Sequence, residues 1–196
     1  PVKMTGDRGQ VYTADTVIIA TGAQAKWLGL ESEKKFQGFG VSACATCDGF
    51  FYRNKEVLVV GGGNTAVEEA LFLTNFASKV TLVHRRDSLR SEKILQQRLL
   101  SHDKIDVLWN SEIDEVLGDD TPLGVTGARI RNTQNGDTHE ISAHGIFIAI
   151  GHAPSTELFT AQLKTKAGGY LVTEPDSTAT SIDGVYAAGD VTDDIY

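Results

Sequence analysis

The chain has 196 residues, 41% of them hydrophobic, and carries 26 Asp and Glu against 18 Lys and Arg, a formal charge of −8. That length suits one large domain or two small ones with a real core, and the acidic balance argues against nucleic acid as a partner, because phosphate binding needs a basic face. No apolar run approaches the roughly 20 residues of a membrane span and no secretory signal is present, so a soluble, cytoplasmic protein is expected.

In chain order, Val2 to Gly22 reads as strand, turn, strand and buried strand, with Gly6-Asp7-Arg8-Gly9 as the turn and Thr16–Ala20 as the apolar run. The only cysteines follow at Cys44 and Cys47, spaced C-x-x-C. Zinc would want four ligands, and neither a second cysteine pair nor a nearby histidine pair is present. A purely structural disulfide closing so short a loop would remove little entropy from the unfolded chain. A redox dithiol is the better reading, with two inert buried cysteines as the bland one. Asp48 adjoins the pair beside Phe50, Phe51 and Tyr52. In an apolar setting its carboxyl would be a candidate proton donor to a leaving thiolate; otherwise it caps a turn or helix.

Next come a strand over Glu56–Val60, a glycine turn over Gly61–Asn64 and a helix over Thr65–Ala77. The helix carries Ala66, Val67, Ala70, Leu71 and Thr74 on one face. A strand over Lys79–His84, a helix over Ser91–Leu100 with Ile94, Leu95, Arg98 and Leu99 at helical spacing, and a strand over Ile105–Trp109 follow. Strands alternating with helices predict a parallel, doubly wound sheet. Gly61-Gly62-Gly63-Asn64-Thr65-Ala66 fits G-x-G-x-x-G/A directly after a strand and opening a helix. There the absence of Cβ atoms lets helix N-terminal amides approach a pyrophosphate. About twenty residues on, an NAD site would place Asp or Glu; this chain has His84-Arg85-Arg86 and then Arg90. Guanidinium groups suit a 2′-phosphate, so NADPH is favoured over NADH.

The segment from Val125 to Gly151 repeats the opening pattern. It has a strand over Gly127–Asn132, a turn at Asn135-Gly136-Asp137 and a buried strand over Gly145–Ile150. Ala14, Ile19, Ala20 and Gly22 coincide with Ala143, Ile148, Ala149 and Gly151, so one supersecondary unit occurs twice.

C-A-T-C-D-G-F-F-Y at 44–52, G-G-G-N-T-A-V-E-E-A at 61–70, H-R-R-D-x-x-R at 84–90 and A-A-G-D at 187–190 resemble the low-molecular-weight bacterial NADPH–thioredoxin reductases. These are flavoproteins with two dinucleotide-binding domains, and the likeness runs along essentially the whole chain. It implies an α/β fold of two Rossmann-like domains, an NADPH domain inserted into an FAD domain that is here incomplete. The expected boundaries are 1–25 and 150–196 for the FAD domain and 26–149 for the NADPH domain with the dithiol. The activity implied passes electrons from NADPH through FAD to the Cys44/Cys47 disulfide and on to thioredoxin. Asp48 is then the general acid, and Arg85, Arg86 and Arg90 recognise the 2′-phosphate. Gly61, Gly63, Asn64, Thr65 and His84 complete the NADPH candidates, with Gly151, Gly189 and Asp190 as further cofactor contacts; Asp190 matches an aspartate on the flavin ribityl chain. A homodimer is implied for the full-length protein.

The family also carries an earlier glycine motif for FAD, which this chain lacks. That loop is expected before Pro1, and a further helix after Asp193-Asp194-Ile195-Tyr196. The crossings near Gly22–Gln24 and Gly151–Ala153 are expected to act as a hinge. Two other readings stay open. A flavoprotein reductase of a peroxide-scavenging system also has C-x-x-C, but it prefers NADH, against which Arg85 and Arg86 count. The second is that the chain as it stands is an NADPH-binding module without catalysis.

Overall fold

The computed structural model describes residues 1–194; Ile195 and Tyr196, where the expected continuation into a helix begins, lie outside the described residues. The strands are β1 (Val2–Thr5), β2 (Val11–Ala14), β3 (Val17–Ile19), β4 (Ala23–Ala25), β5 (Val41–Ser42), β6 (Glu56–Gly61) and β7 (Lys79–Val83). They continue as β8 (Ile105–Leu108), β9 (Ser111–Asp120), β10 (Leu123–Asn132), β11 (Thr138–Ser142), β12 (Gly145–Ala149), β13 (His152–Pro154) and β14 (Val185–Ala187). The α-helices are α1 (Glu31–Lys35), α2 (Ala45–Asp48), α3 (Asn64–Leu73) and α4 (Lys93–Leu100). No helix among the described residues is long and apolar enough to cross a membrane.

The chain divides into two compact units, Pro1–Gln24 with His152–Tyr196, and Ala25–Gly151. The cuts fall within two residues of those read from the sequence, and the difference matters at one end: Ile150 and Gly151 belong to the inserted unit, where they line its nucleotide-sized cavity.

The inserted unit is built on a five-stranded parallel sheet in the order β5-β12-β6-β7-β8. Its central strands are covered on both faces, which is why Val57-Leu58-Val59-Val60 and Ile146-Phe147-Ile148 read as unbroken apolar runs. Val57, Val59, Val80, Leu82 and Phe147 pack with Ala66, Val67, Ala70 and Leu73 of α3 and Leu99 of α4. On the opposite face Leu58, Val60, Val83, Ile146 and Ile148 pack with Ile113, Val116, Ala128 and Ile130 of the antiparallel sheet β11-β10-β9. The result is three layers, helices, parallel sheet and antiparallel sheet.

Three local readings are corrected. The helix expected over Thr65–Ala77 ends at Leu73, after which single-turn bonds such as Thr74 N–H to Leu71 O lead to Ala77. The helix expected from Ser91 starts at Lys93, and its Ile94 is turned to solvent, 53% exposed, while Leu99 is fully buried. Strand β9 was not read at all. Its acidic residues and the register shifts against β10, between Val125/Gly127 and Arg129/Ile130, break the period-two pattern that would have marked it.

The flanking unit holds the β1–β2 hairpin and the parallel pair β3–β14, around Ile19, Leu163, Leu171, Val185, Ala187 and Val191, and the ribbon β4–β13 except Ala25, the first residue of the inserted unit. The repeat is visible in the two hairpins. Each ends two residues before a strand that enters a parallel pairing, β3 after β2 and β12 after β11. The chain passes from one unit to the other at Gly22–Ala25 and Gly151–Pro154, and Gly22 and Gly151 have φ of +71° and +99°.

Candidate functional site

Strand β5 delivers the cysteines. It sits at the edge of the parallel sheet beside β12, and its C-terminal end runs into Cys44, the N-cap of α2. In a parallel sheet, ligands and reacting groups gather at the carboxyl ends of the strands, and both the dithiol and the glycine turn after β6 lie at that end. Cys44 and Cys47 form a disulfide with Cα atoms 5.3 Å apart. Cys44 Sγ accepts the Cys47 N–H at 3.2 Å, and Cys47 is the more exposed of the two.

Asp48 lines a cavity together with Phe51, Tyr52, Val41 and Val125, so part of the apolar setting considered from the sequence is present, while Phe50 packs on Phe76. Its carboxylate accepts from Ser42 Oγ at 2.6 Å, and Ser42 Oγ in turn accepts the Cys44 N–H at 3.1 Å. The Asp48 side chain does not cap the following turn of 3₁₀ helix over Gly49–Tyr52. Ser42, absent from the sequence candidates, thus ties Asp48 to the backbone of Cys44. Its signal was a hydroxyl at the end of a short strand two residues before the cysteine. Tyr52, beside Asp48 on a cavity of about 500 Å³, has its phenol pKa raised by burial and by the Asp48 charge.

A second residue that sequence reasoning passed over is Glu69. It lies on α3 three residues after Ala66 and four before Leu73, so its spacing places it on the core side of the helix. Oε1 accepts the Ala45 N–H at 3.4 Å, and Oε2 is buried without a hydrogen-bond partner. Burial pushes the Glu69 carboxyl up to about 7, a shift the Ala45 amide partly offsets. A raised carboxyl holds its proton in the folded chain after the unfolded chain has released it. Stability from this group is therefore complete below about 4.5 and declines as pH rises through about 7. Glu69→Gln is expected to raise the melting temperature relative to the parent at pH 8 and to leave it unchanged near pH 4.5, as read by thermal denaturation at both. An equal difference at the two values would contradict the shift.

The nucleotide candidates converge on a cavity of about 490 Å³ within the inserted unit. Gly61, Gly62, Gly63, Thr65, His84, Arg85, Arg90 and Gly151 line it, with Trp27, Leu28 and Ile150 as apolar walls. A Cβ at Gly63 would meet nothing within 4 Å, so this position is open to a ligand approaching the start of α3. Gly62 is constrained from the other side: a Cβ there would lie 2.1 Å from the His84 ring. His84 is 5% exposed, with Nδ1 2.9 Å from Gly61 O and Nε2 2.9 Å from Ser88 O, so its ring nitrogens engage the loop backbone. Asn64 Oδ1 accepts the Glu92 N–H at 2.9 Å, and the Arg90 N–H donates to Gly62 O at 2.8 Å. These bonds fasten the 84–92 loop to the glycine turn. Arg86 is exposed and is not part of the cavity lining. Glu112, the one acid in the lining, is paired with Arg131 at 3.1 Å. Behind the wall, Glu33 is 1% exposed and accepts the Leu28 and Gly29 N–H groups, both at 2.9 Å, fixing the segment that carries Trp27.

Gly189 and Asp190 are in the flanking unit, just after β14, at the carboxyl ends of the parallel pair β3–β14. Gly189 has φ of +81°, open space where a Cβ would be, and an exposed Asp190 beside it.

The chain is 56% identical over 196 residues to a protein of Rickettsia conorii named thioredoxin reductase, covering all of this chain and 63% of that one. It is 57% identical over 203 residues to a Pseudomonas fluorescens protein named glucosaminate ammonia-lyase, covering all of this chain and 62% of that one. Its fold is similar to the crystal structure of thioredoxin reductase from Streptococcus pyogenes, with a TM-score of 0.82 at 45% identity over 96% of this chain and 60% of that one. It therefore spans somewhat less than two thirds of these relatives. The family model for pyridine nucleotide-disulphide oxidoreductases matches residues 2–196, and the chain belongs to that family.

Proposed function

We propose that this chain is the pyridine-nucleotide and dithiol part of a thioredoxin-disulfide reductase that takes its electrons from NADPH. One observation carries the reading most strongly: the Cys44–Cys47 disulfide and the glycine turn with its arginines stand at the same end of one parallel sheet. In this reading Arg85 and Arg90 hold the 2′-phosphate, Gly63 and Thr65 admit the pyrophosphate, and Trp27 and Ile150 wall the cavity. FAD, when bound, supplies the carrier between the nicotinamide hydride and the disulfide. Asp190 and Gly189, at the carboxyl ends of β3 and β14, fit a dinucleotide and would hold it. Once reduced, one thiolate attacks the thioredoxin disulfide and the other cysteine closes back on it, so both sulfurs are needed. Asp48, held by Ser42, supplies the proton to the departing sulfur. The full-length protein is proposed to be a homodimer.

The test uses the full-length protein with FAD, NADPH and oxidised thioredoxin. Thioredoxin thiols are expected to appear in step with NADPH loss, and Asp48→Asn is expected to slow this by about 10²–10⁴-fold at unchanged NADPH affinity. NADH as the better donor would favour a peroxide-scavenging reductase, and ammonia released from glucosaminate without thiol formation would favour the lyase named among the relatives.

A further inference from the structure

Apart from Ser91 Oγ, Glu69 Oε2 is the one buried side-chain oxygen or nitrogen among the described residues with no hydrogen-bond partner, and it lies beneath the redox turn. Two acceptors share the first turn of α2. Cys44 Sγ takes the Cys47 N–H, and Glu69 Oε1 takes the Ala45 N–H from the side of α3. An ionised Glu69 would leave charge on a buried, unpartnered oxygen, on the carboxyl that accepts the amide directly following Cys44, whose sulfur becomes anionic when the disulfide is reduced.

We propose that Glu69 is a positioning residue for the dithiol that exchanges a proton with it, so that Cys44 and Glu69 share a single negative charge in the reduced chain. This rests on the reading of Cys44 and Cys47 as the redox pair. The step balances as follows. The Cys44–Cys47 S–S bond breaks and accepts two electrons from a dithiol or flavin donor. Of two protons taken up, one goes to Cys47 Sγ and one to the Glu69 carboxylate, leaving Cys44 as thiolate beside a neutral acid. At lower pH, where Glu69 is already protonated, the second proton is not needed.

Other charges do not account for this coupling. Packed against α3 are α2 with Cys44, Cys47 and Asp48, α4 with Lys93 and Arg98, β6 and β7 with Glu56 and Lys79 at their starts, and β12 with no charged residue. None forms an ion pair with Glu69; Asp48 is bonded to Ser42 and Lys79 to Asp106. Glu68, the neighbouring acid on α3 itself, is exposed. Burial is the largest cause of the Glu69 shift and the Ala45 amide the only other. Two interacting sites titrate as a pair, and with Glu69 Oε1 on the amide that follows Cys44 the expected coupling is on the order of one pK unit.

The experiment compares the 196-residue chain with Glu69→Gln and Glu69→Leu, each reduced with dithiothreitol. Alkylation by iodoacetamide is followed by mass from pH 5 to 9. Gln keeps an acceptor for the Ala45 N–H but cannot titrate. Both variants are expected to react at the parent's rate at pH 6, where Glu69 is neutral, and about two- to fivefold faster at pH 8, where an ionised Glu69 holds back the parent's thiolate, the only nucleophilic form. In the parent chain the infrared difference between reduced and oxidised forms at pH 8 is expected to show a carboxylate gaining a proton, as reciprocity requires. This second readout stands even where a variant fails to fold. A Gln variant with the parent's pH profile would overturn the proposal, leaving Glu69 a prop for α2, and so would unchanged carboxyl bands on reduction. A disulfide that dithiothreitol cannot open and air cannot close would remove the redox reading itself, and the proposal with it.

Discussion

Replacing Arg85 and Arg90 together by alanine is expected to weaken NADPH binding by on the order of 10²–10⁴-fold while changing NADH binding less than about threefold. Each guanidinium lines the cavity that the glycine turn closes, and a charge-assisted bond to phosphate contributes about 1.5–3 kcal/mol. NADH lacks the 2′-phosphate and has nothing to lose there. Trp27 is in the cavity wall and 39% exposed, so quenching of its fluorescence reads the affinity directly in the 196-residue chain. Arg86→Ala serves as the internal comparison. Its side chain is outside the lining, and its backbone carbonyl, which accepts the Asn110 N–H at 3.0 Å, survives the substitution. Its effect is expected to be well below that of Arg85. Equal losses for NADPH and NADH would remove the arginines from phosphate recognition, and an Arg86 effect matching Arg85 would show that the loop reshapes around the nucleotide.

Cys44→Ser and Cys47→Ser are each expected to lower thioredoxin reduction by the full-length protein at least ~10³-fold, with NADPH still able to bleach the flavin. The double substitution is expected to be no worse than either single one. Residues that act as a unit give such non-additive losses, and a disulfide needs both sulfurs to form and to be resolved. Stopped-flow absorbance separates the two half-reactions. Thioredoxin turnover near the parent rate in either single variant would take the dithiol off the path. Serine preserves the size of each side chain and the start of α2, so a lost activity here cannot be laid to a collapsed turn if the circular dichroism is unchanged.

Much of the parallel sheet was readable because buried strands announce themselves. Val57–Val60 and Ile146–Ile148 are apolar without interruption, and the glycine turn between strand and helix has few other uses. What escaped was set by contacts distant in sequence. Strand β9 hides because Glu112, Asp114 and Glu115 take their partners, Arg131 and Arg129, from β10. His84 was grouped with the arginines and lines the same cavity, but the packing of its ring against Gly62 is visible only once β6 and β7 lie side by side. Asp48 shares its cavity with Phe51 and Tyr52, as its sequence neighbours suggested, but its hydrogen-bond partner is Ser42, six residues back. The carboxyl with the raised pKa is Glu69, 25 residues beyond Cys44 and brought under it only by packing of α2 on α3.

Helix α3 begins at the glycine turn and carries Glu69 midway along its ten residues. One rigid rod therefore supports both the nucleotide grip and the dithiol, and anyone redesigning cofactor choice inherits that linkage. A change that shifts or tilts α3 to suit a different nucleotide is also a change to the floor under Cys44. The safer ground for engineering is the 84–92 loop. It is held to the rod by the Arg90 amide and the Asn64 side chain, and its arginines can be exchanged for acids without moving the rod itself.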